Sequence, residues 1–188
     1  METTLSSSPA TSAAPRFVID ASHSQVGFSV RHMMISNVRG EFQRYAGEFR
    51  FDPSRPEATS ATVSIEVASV NTREEKRDGH LRSADFFDAE SFPVMTFTSK
   101  RAKVRGDGID LVGDLTIRGT TREVVLAVDD ITVEHKDPWG NLRVGATATT
   151  KIKRSDFGMV WNAALEAGGV LVADEVKIVL EVQGIKQA

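Results

Sequence analysis

The chain reads as an all-β protein, an antiparallel meander or barrel, on three observations. Apolar residues recur with period two in about eight separate runs, short turn-forming segments divide those runs, and no β-helix-β alternation occurs. A half-buried antiparallel strand shows one apolar and one wet face, which is the pattern seen here.

In chain order, Val26, Phe28 and Val30 alternate with Gln25, Gly27, Ser29 and Arg31 in the first clear run. Tyr45, Gly47, Phe49 and Phe51 form the next, and Val63 and Ile65 alternate with Thr62, Ser64 and Glu66. Met95 and Phe97 follow, then Leu111, Leu115 and Ile117, then Val124, Leu126 and Val128. Val144, Ala146 and Ala148 share one parity while Thr147, Thr149 and Lys151 take the other; the last run carries Val176, Ile178, Leu180 and Val182. Gly106-Asp107-Gly108, Arg118-Gly119-Thr120 and Asp137-Pro138-Trp139-Gly140 supply turn chemistry between runs.

Residues 72 to 90 break the pattern. Thr72 with Glu75 three positions on forms a capping-box pattern, and the charged run to Asp78 suits a solvated helix face. Gly79 weakens that helix, so one or two short turns are expected. Phe86, Phe87 and Phe92 lie where they could staple the insert over one barrel end.

At 188 residues one domain with one core is expected, spanning 16–188 behind a disordered tail of residues 1–15 rich in Ser, Thr and Ala. The 23 basic and 26 acidic residues leave a net charge of −3, which offers nothing to phosphate backbones or anionic bilayers, so no nucleic-acid partner is expected. Without cysteine there is no disulfide framework and no thiolate metal site. No run of apolar residues reaches the ~18 a membrane span needs. Glu2 stands where a secretory signal carries basic residues, so the expected address is cytoplasmic.

An eight-stranded barrel is just wide enough to be filled by side chains or to hold one small ligand. The adjacent inward alanines, Ala146 and Ala148, leave lumen space unless larger neighbours cross to fill it; the alternation of small and large residues in a packed barrel is the competing explanation. Phe28, Phe42, Phe49, Phe97, Phe157 and Trp161 fall in phase with apolar faces, as core or pocket wall. Trp139, in a turn, is expected to be exposed or at an interface.

Catalytic signals are sparse. The histidines at 23, 32, 80 and 135 lack metal-ligand spacing, and there is no Gly-x-Ser-x-Gly elbow. Asp20-Ala21-Ser22-His23-Ser24 is read as local hydrogen bonding to a turn. His32 continues the inward parity of Val26, Phe28 and Val30, either as a satisfied core residue or as a polar group that orients a ligand head.

Several ordered motifs carry a resemblance: Ile19-Asp20-Ala21-Ser22-His23-Ser24, Phe28-Ser29-Val30-Arg31-His32-Met33, Val38-Arg39-Gly40-Glu41-Phe42, Arg77-Asp78-Gly79-His80-Leu81-Arg82-Ser83-Ala84-Asp85-Phe86-Phe87, Phe92-Pro93, Gly113-Asp114-Leu115-Thr116-Ile117-Arg118-Gly119-Thr120-Thr121 and Arg154-Ser155-Asp156-Phe157-Gly158. Collinear from about Phe17 to Val182, they resemble the YceI-like polyisoprenoid-binding family. The resemblance implies an extended eight-stranded, lipocalin-like antiparallel barrel with a helical insert, holding a long-chain isoprenoid, quinone or similar lipid, often as a homodimer. It implies neither catalysis nor a cofactor. His23, His32, Arg77, Asp78, His80, Phe86 and Phe87 match motif positions, and of these His32 is the expected head-group contact.

The expected ligand wall therefore comprises Val26, Phe28, Val30 and His32 from the first run, with Phe42 and Phe49 beside them. Val63, Ile65, Phe97, Leu115 and Ile117 continue it. Ala146, Ala148, Phe157, Trp161, Ile178 and Leu180 complete it. The functional expectation is non-enzymatic binding, storage or transport of an amphiphilic isoprenoid. A barrel enzyme acting on a lipophilic substrate through His32 and a packed-barrel interaction module are the alternatives.

Overall fold

The computed structural model describes residues 13–165 and 169–188. Twelve strands and one α-helix follow in chain order: β1 (Arg16–Ile19), β2 (Gln25–His32), β3 (Ser36–Phe42), β4 (Tyr45–Arg50), β5 (Ser60–Glu66), β6 (Val70–Asn71), α1 (Glu75–Arg82), β7 (Val94–Arg105), β8 (Gly108–Ile117), β9 (Thr120–Asp129), β10 (His135–Lys136), β11 (Leu142–Lys153) and β12 (Val172–Lys186).

The pairings close these strands into a barrel with eight wall positions. One edge of the 15-residue β12 pairs along β11, from Arg143↔Ile185 to Lys153↔Glu175. The other edge pairs with β2 and then β1. β1 and β2 are thus two halves of one wall position. β4 lies against β1 and β3 against β2, while β5 and β6 continue outward from β4 and β3. β7, β8 and β9 then lead round to β11. Every neighbouring pair is antiparallel, and the circuit closes through β5 and β7, while β6 pairs with β3 alone among the described residues and leaves a strand edge there.

The three broken positions are interrupted side by side. Tyr45 Oη donates to Ser24 O at 2.5 Å, and Arg44 N donates to Ser69 Oγ at 3.0 Å. Side chains thereby take the hydrogen bonds that the bend removes from the ladder.

Turn chemistry matches its sequence signals. Gly106 (φ +61°) turns β7 into β8, and Arg118 and Gly119 (φ +50° and +70°) turn β8 into β9. Asp137 organises the β10–β11 turn: its Oδ1 accepts from Trp139 N and Asn141 N, both at 2.9 Å. Trp139 is 80 % exposed at the tip.

Two local expectations are corrected. Thr72 does not cap α1. Glu74 does, its carboxylate accepting from Lys76 N and Arg77 N, because the chain turns at Arg73 in a left-handed conformation (φ +65°). Nor is the charge run wholly solvated. Asp78 is buried, and its Oδ1 accepts from Thr72 N at 2.8 Å and Thr72 Oγ1 at 2.5 Å. Two helical turns form, as the glycine at 79 leads one to expect.

Of the expected tail, residues 1–12 lie outside the described residues. Ala14 is buried, its carbonyl accepts from Arg50 Nη1, and Pro15 O accepts from Phe51 N. Among the described residues no helix is long and apolar enough to cross a membrane.

Candidate functional site

The barrel encloses a cavity of about 260 Å³ walled almost wholly by aliphatic and aromatic side chains. Its existence follows from residue size at the inward parity. Ala146 and Ala148 face it from β11, opposite Val182 and Leu180 in the ladder, and Gly27 and Gly145 add further small positions. Gly113, inward on β8, is overlain by Phe97: a Cβ there would meet that ring at 2.6 Å, so glycine lets the aromatic lie flat against the wall.

Around the ring, Val26, Phe28 and Val30 face the cavity from β2, Phe42 from β3 and Phe49 from β4. Val63, Ile65, Phe97, Leu115 and Ile117 face it from β5, β7 and β8. Ala146, Ala148, Ile178 and Leu180 complete the circuit from β11 and β12.

Three expected wall residues lie elsewhere. His32 ends β2 beyond Val30, half-buried opposite Ser36 and Val172, where β12 is irregular between Val172 and Val176; it is not among the lining residues, although Val172 is. Phe157 is not on a strand. It is buried in the 3₁₀ turn Arg154–Phe157 after β11 and packs in the core without lining the cavity. Trp161, also off any strand, stacks edge-on to His80 at 4.7 Å between ring centroids and lies 5.4 Å from Phe86. Period-two alternation has no meaning at Phe157 and Trp161, which lie past Lys153, where the regular strand ends.

One end of the cavity is closed by the helical insert. Leu81, Phe86 and Phe87 form its floor with Met159 and Arg154, and Phe87 meets Phe42 edge-on at 5.6 Å. The insert is tied down by polar contacts. Arg77 Nη2 donates to Thr72 O at 2.7 Å, Arg82 Nε to Ala68 O at 3.0 Å, and Arg118 Nη2 to Ala84 O at 2.9 Å. At the opposite end a second cavity, about 440 Å³, shares Phe51, Ile109, Ile131 and Val144 with the first and forms its mouth. Asp107 and Glu134 line that mouth.

Arg154 is the wall residue that periodicity did not reveal. It is 5 % exposed, and burial pushes its pKa below the ordinary guanidinium value. A charged residue at the end of an apolar run normally marks a strand leaving the core, so the sequence carries no signal that this one turns inward. The remaining floor, Leu81 and Met159, likewise comes from segments without period-two pattern.

The Asp20, Ser22 and His23 cluster does not form a catalytic triad. Ser22 Oγ donates to Asp20 Oδ1 at 2.6 Å, and both Ser22 Oγ and Asp20 Oδ2 meet the same ring nitrogen, His23 Nδ1, at 3.0 and 2.8 Å. A triad needs the base to use opposite nitrogens for nucleophile and carboxylate. Bonds from Ser22 and from Arg143 hold the Asp20 carboxyl well below the usual carboxylate range. Among the described residues no three His, Asp or Glu side chains converge on a metal position.

A YceI-like domain model matches residues 17–184. Protein YceI of Escherichia coli strain UMN026 is 38 % identical over 168 residues, covering 89 % of this chain and 84 % of that protein. Among solved structures, Burkholderia cenocepacia BcnA superposes with a TM-score of 0.76 at 25 % identity, covering 88 % of this chain and 98 % of that one. A polyisoprenoid binding domain from Saccharophagus degradans shares the fold, with a TM-score of 0.65 at 17 % identity over 91 % of this chain and 98 % of that one.

Proposed function

This chain belongs to the YceI-like family, and from that premise we propose that it is a non-enzymatic carrier or store for a long-chain isoprenoid, a quinone or a similar amphiphilic lipid. The observation that carries the reading is the lumen itself, an apolar cavity closed by α1 at one end and continuous with a mouth at the other. Transferring a chain from water into such a wall gains roughly 0.8 kcal/mol per buried CH₂, offset by the ordering of the chain. Affinity therefore rises with chain length until the lumen is full.

The name of the Saccharophagus domain supports an isoprenoid as the ligand class. The enzyme alternative turns on His32, which is not among the residues lining the cavity. A homodimer rests on the family resemblance alone, and analytical sedimentation tests it.

Native mass spectrometry of freshly purified protein tests the lipid reading directly. A mass increment that organic solvent removes and that fragments as an isoprenoid or fatty derivative is expected. Lipid-free protein that also takes up no prenyl or acyl chain in vitro overturns it.

A further inference from the structure

Arg154 is the only Lys or Arg in the cavity wall among the described residues, and its partners are all neutral. Nε donates to Ala173 O at 3.0 Å, Nη1 to Met159 O at 2.7 Å and Trp161 O at 2.8 Å, and Nη2 to Val172 O at 3.3 Å. A guanidinium has five N–H donors, so the second hydrogen on Nη2 is left over. No described carboxylate forms an ion pair with it: Asp174, which acts on it electrostatically, accepts instead from Ser155 N at 3.0 Å and Ser155 Oγ at 2.7 Å. The Phe86 ring, 6.0 Å from the guanidinium carbon, adds a weak cation–π contact.

A guanidinium stays protonated at physiological pH even when buried. Carbonyl dipoles and an aromatic face solvate this one without neutralising it, and an anion in a low-dielectric lumen would be attracted far more strongly than in water. The two ends of the cavity differ in sign. The floor carries Arg154, whereas the charged residues lining the mouth are Asp107 and Glu134, which would repel an anionic group held there.

We propose that the lumen takes an anionic amphiphile head first, its carboxylate or phosphate lying against Arg154 at the floor and its chain extending toward the Phe51 and Ile131 mouth. This rests on the lumen being the lipid site, and adds to it a head-group class and an orientation.

Trp161 is a reporter for the floor, 5.4 Å from Phe86, once Trp139, 80 % exposed in a distant turn, is replaced by Phe. The delipidated Trp139→Phe protein is titrated with hexadecanol, hexadecanoic acid, hexadecyl phosphate, and hexadecanoic acids brominated at carbon 2 or carbon 16. The acid, the phosphate or both should bind at least about tenfold tighter than the alcohol, a difference of about 1.4 kcal/mol. The 2-bromo acid should quench Trp161 and the 16-bromo acid should not. Which anion is preferred identifies the head group. Arg154→Met, close in volume, should abolish the preference, the anions then binding no tighter than the alcohol in the same variant; if that variant does not fold, the discrimination and quenching by the Arg154 protein still decide. Equal affinity for alcohol and both anions, or quenching by the 16-bromo acid alone, overturns the anchor while the lumen reading stands. Failure of every chain to bind overturns both.

Discussion

Arg143 Nη1 donates to Asp20 Oδ2 across 2.6 Å, joining residues 123 positions apart in the chain. Arg143 Nε reaches Asp137 Oδ2 at 2.7 Å, and Nη1 also reaches Gln183 Oε1 at 2.8 Å. One guanidinium thus links the turn after β1, the β10–β11 turn and β12, the elements that must meet for the barrel to close. Loop closure between distant segments is entropically costly, and a mostly buried, multiply bonded arginine is a suitable clamp for it.

The clamp predicts a pH signature. Bonds from Ser22 and Arg143 lower the Asp20 pKa, and bonds from Arg143 and Asn141 lower that of Asp137, so both carboxylates are more acidic folded than unfolded. Their contribution is fully present above the unfolded carboxylate value of about 4 and is lost as pH falls from there toward the depressed folded values. Arg143→Met should therefore be less stable than wild type at pH 7, with the gap narrowing below about pH 4. Urea denaturation of both proteins across pH 2.5–7 checks it, and a gap independent of pH contradicts the assignment.

The helical insert makes a second prediction. Asp78→Ala strips the acceptor from Thr72 N and Oγ1, both buried, and should destabilise the protein by about 1–3 kcal/mol. Asp78→Asn retains an acceptor oxygen and should cost less. Because Leu81, Phe86 and Phe87 floor the lumen, both variants should also release bound lipid faster, as measured by transfer to acceptor vesicles.

How far the sequence discloses this molecule depends on periodicity. Where strands run regularly, as at Val26, Phe28 and Val30 or Ile178 and Leu180, period two assigns the inward face and the structure sets those side chains on the cavity. It fails where regular strand ends. His32 keeps the parity but sits at the irregular end of β2 and does not line the cavity, and Phe157 and Trp161 lie beyond β11 in turn and loop. Closure into eight positions is also illegible locally, because β1 and β2 form one wall position only through their shared partner β12, and β4 and β3 continue it only by pairing with β1 and β2 respectively. Arg154 is invisible for an electrostatic reason: its burial depends on the carbonyls of Met159, Trp161, Val172 and Ala173, which no residue-type pattern encodes.

His32 carries a third prediction. Standing off the wall, it should not discriminate between ligands: His32→Phe should change the affinities for hexadecanol and hexadecanoic acid by the same factor, within about twofold. Titration of both ligands checks it, and selective loss of the acid would return His32 to the site.

The β2–β3 turn gives a fourth. Met33 and Met34 both adopt left-handed φ, +50° and +59°, with Ile35 N bonded to His32 O at 3.0 Å. Left-handed backbone costs an ordinary side chain roughly 1–2 kcal/mol, and a turn with two left-handed central residues, here within a three-residue loop, favours Asn-Gly at them. Met33→Asn with Met34→Gly should raise stability by about 1 kcal/mol, read by thermal and urea unfolding.

The last prediction separates an open lumen from a close-packed core at one residue. Ala148 faces the cavity from β11, paired with Leu180 on one side and Val128 on the other. Ala148→Leu places added methylenes in space that lipid would fill, so uptake of a prenyl or acyl chain should fall. Stability of the lipid-free protein should meanwhile change by less than about 1 kcal/mol, whereas the same insertion into a close-packed interior strains rotamers and costs about 1–3 kcal/mol. The comparison requires delipidated protein, since a ligand that binds only the folded state stabilises it by mass action and would mask the difference. Urea unfolding paired with lipid uptake gives both quantities. A stability loss near the top of that range with undiminished uptake would show that the space beside Ala148 is not where the chain lies.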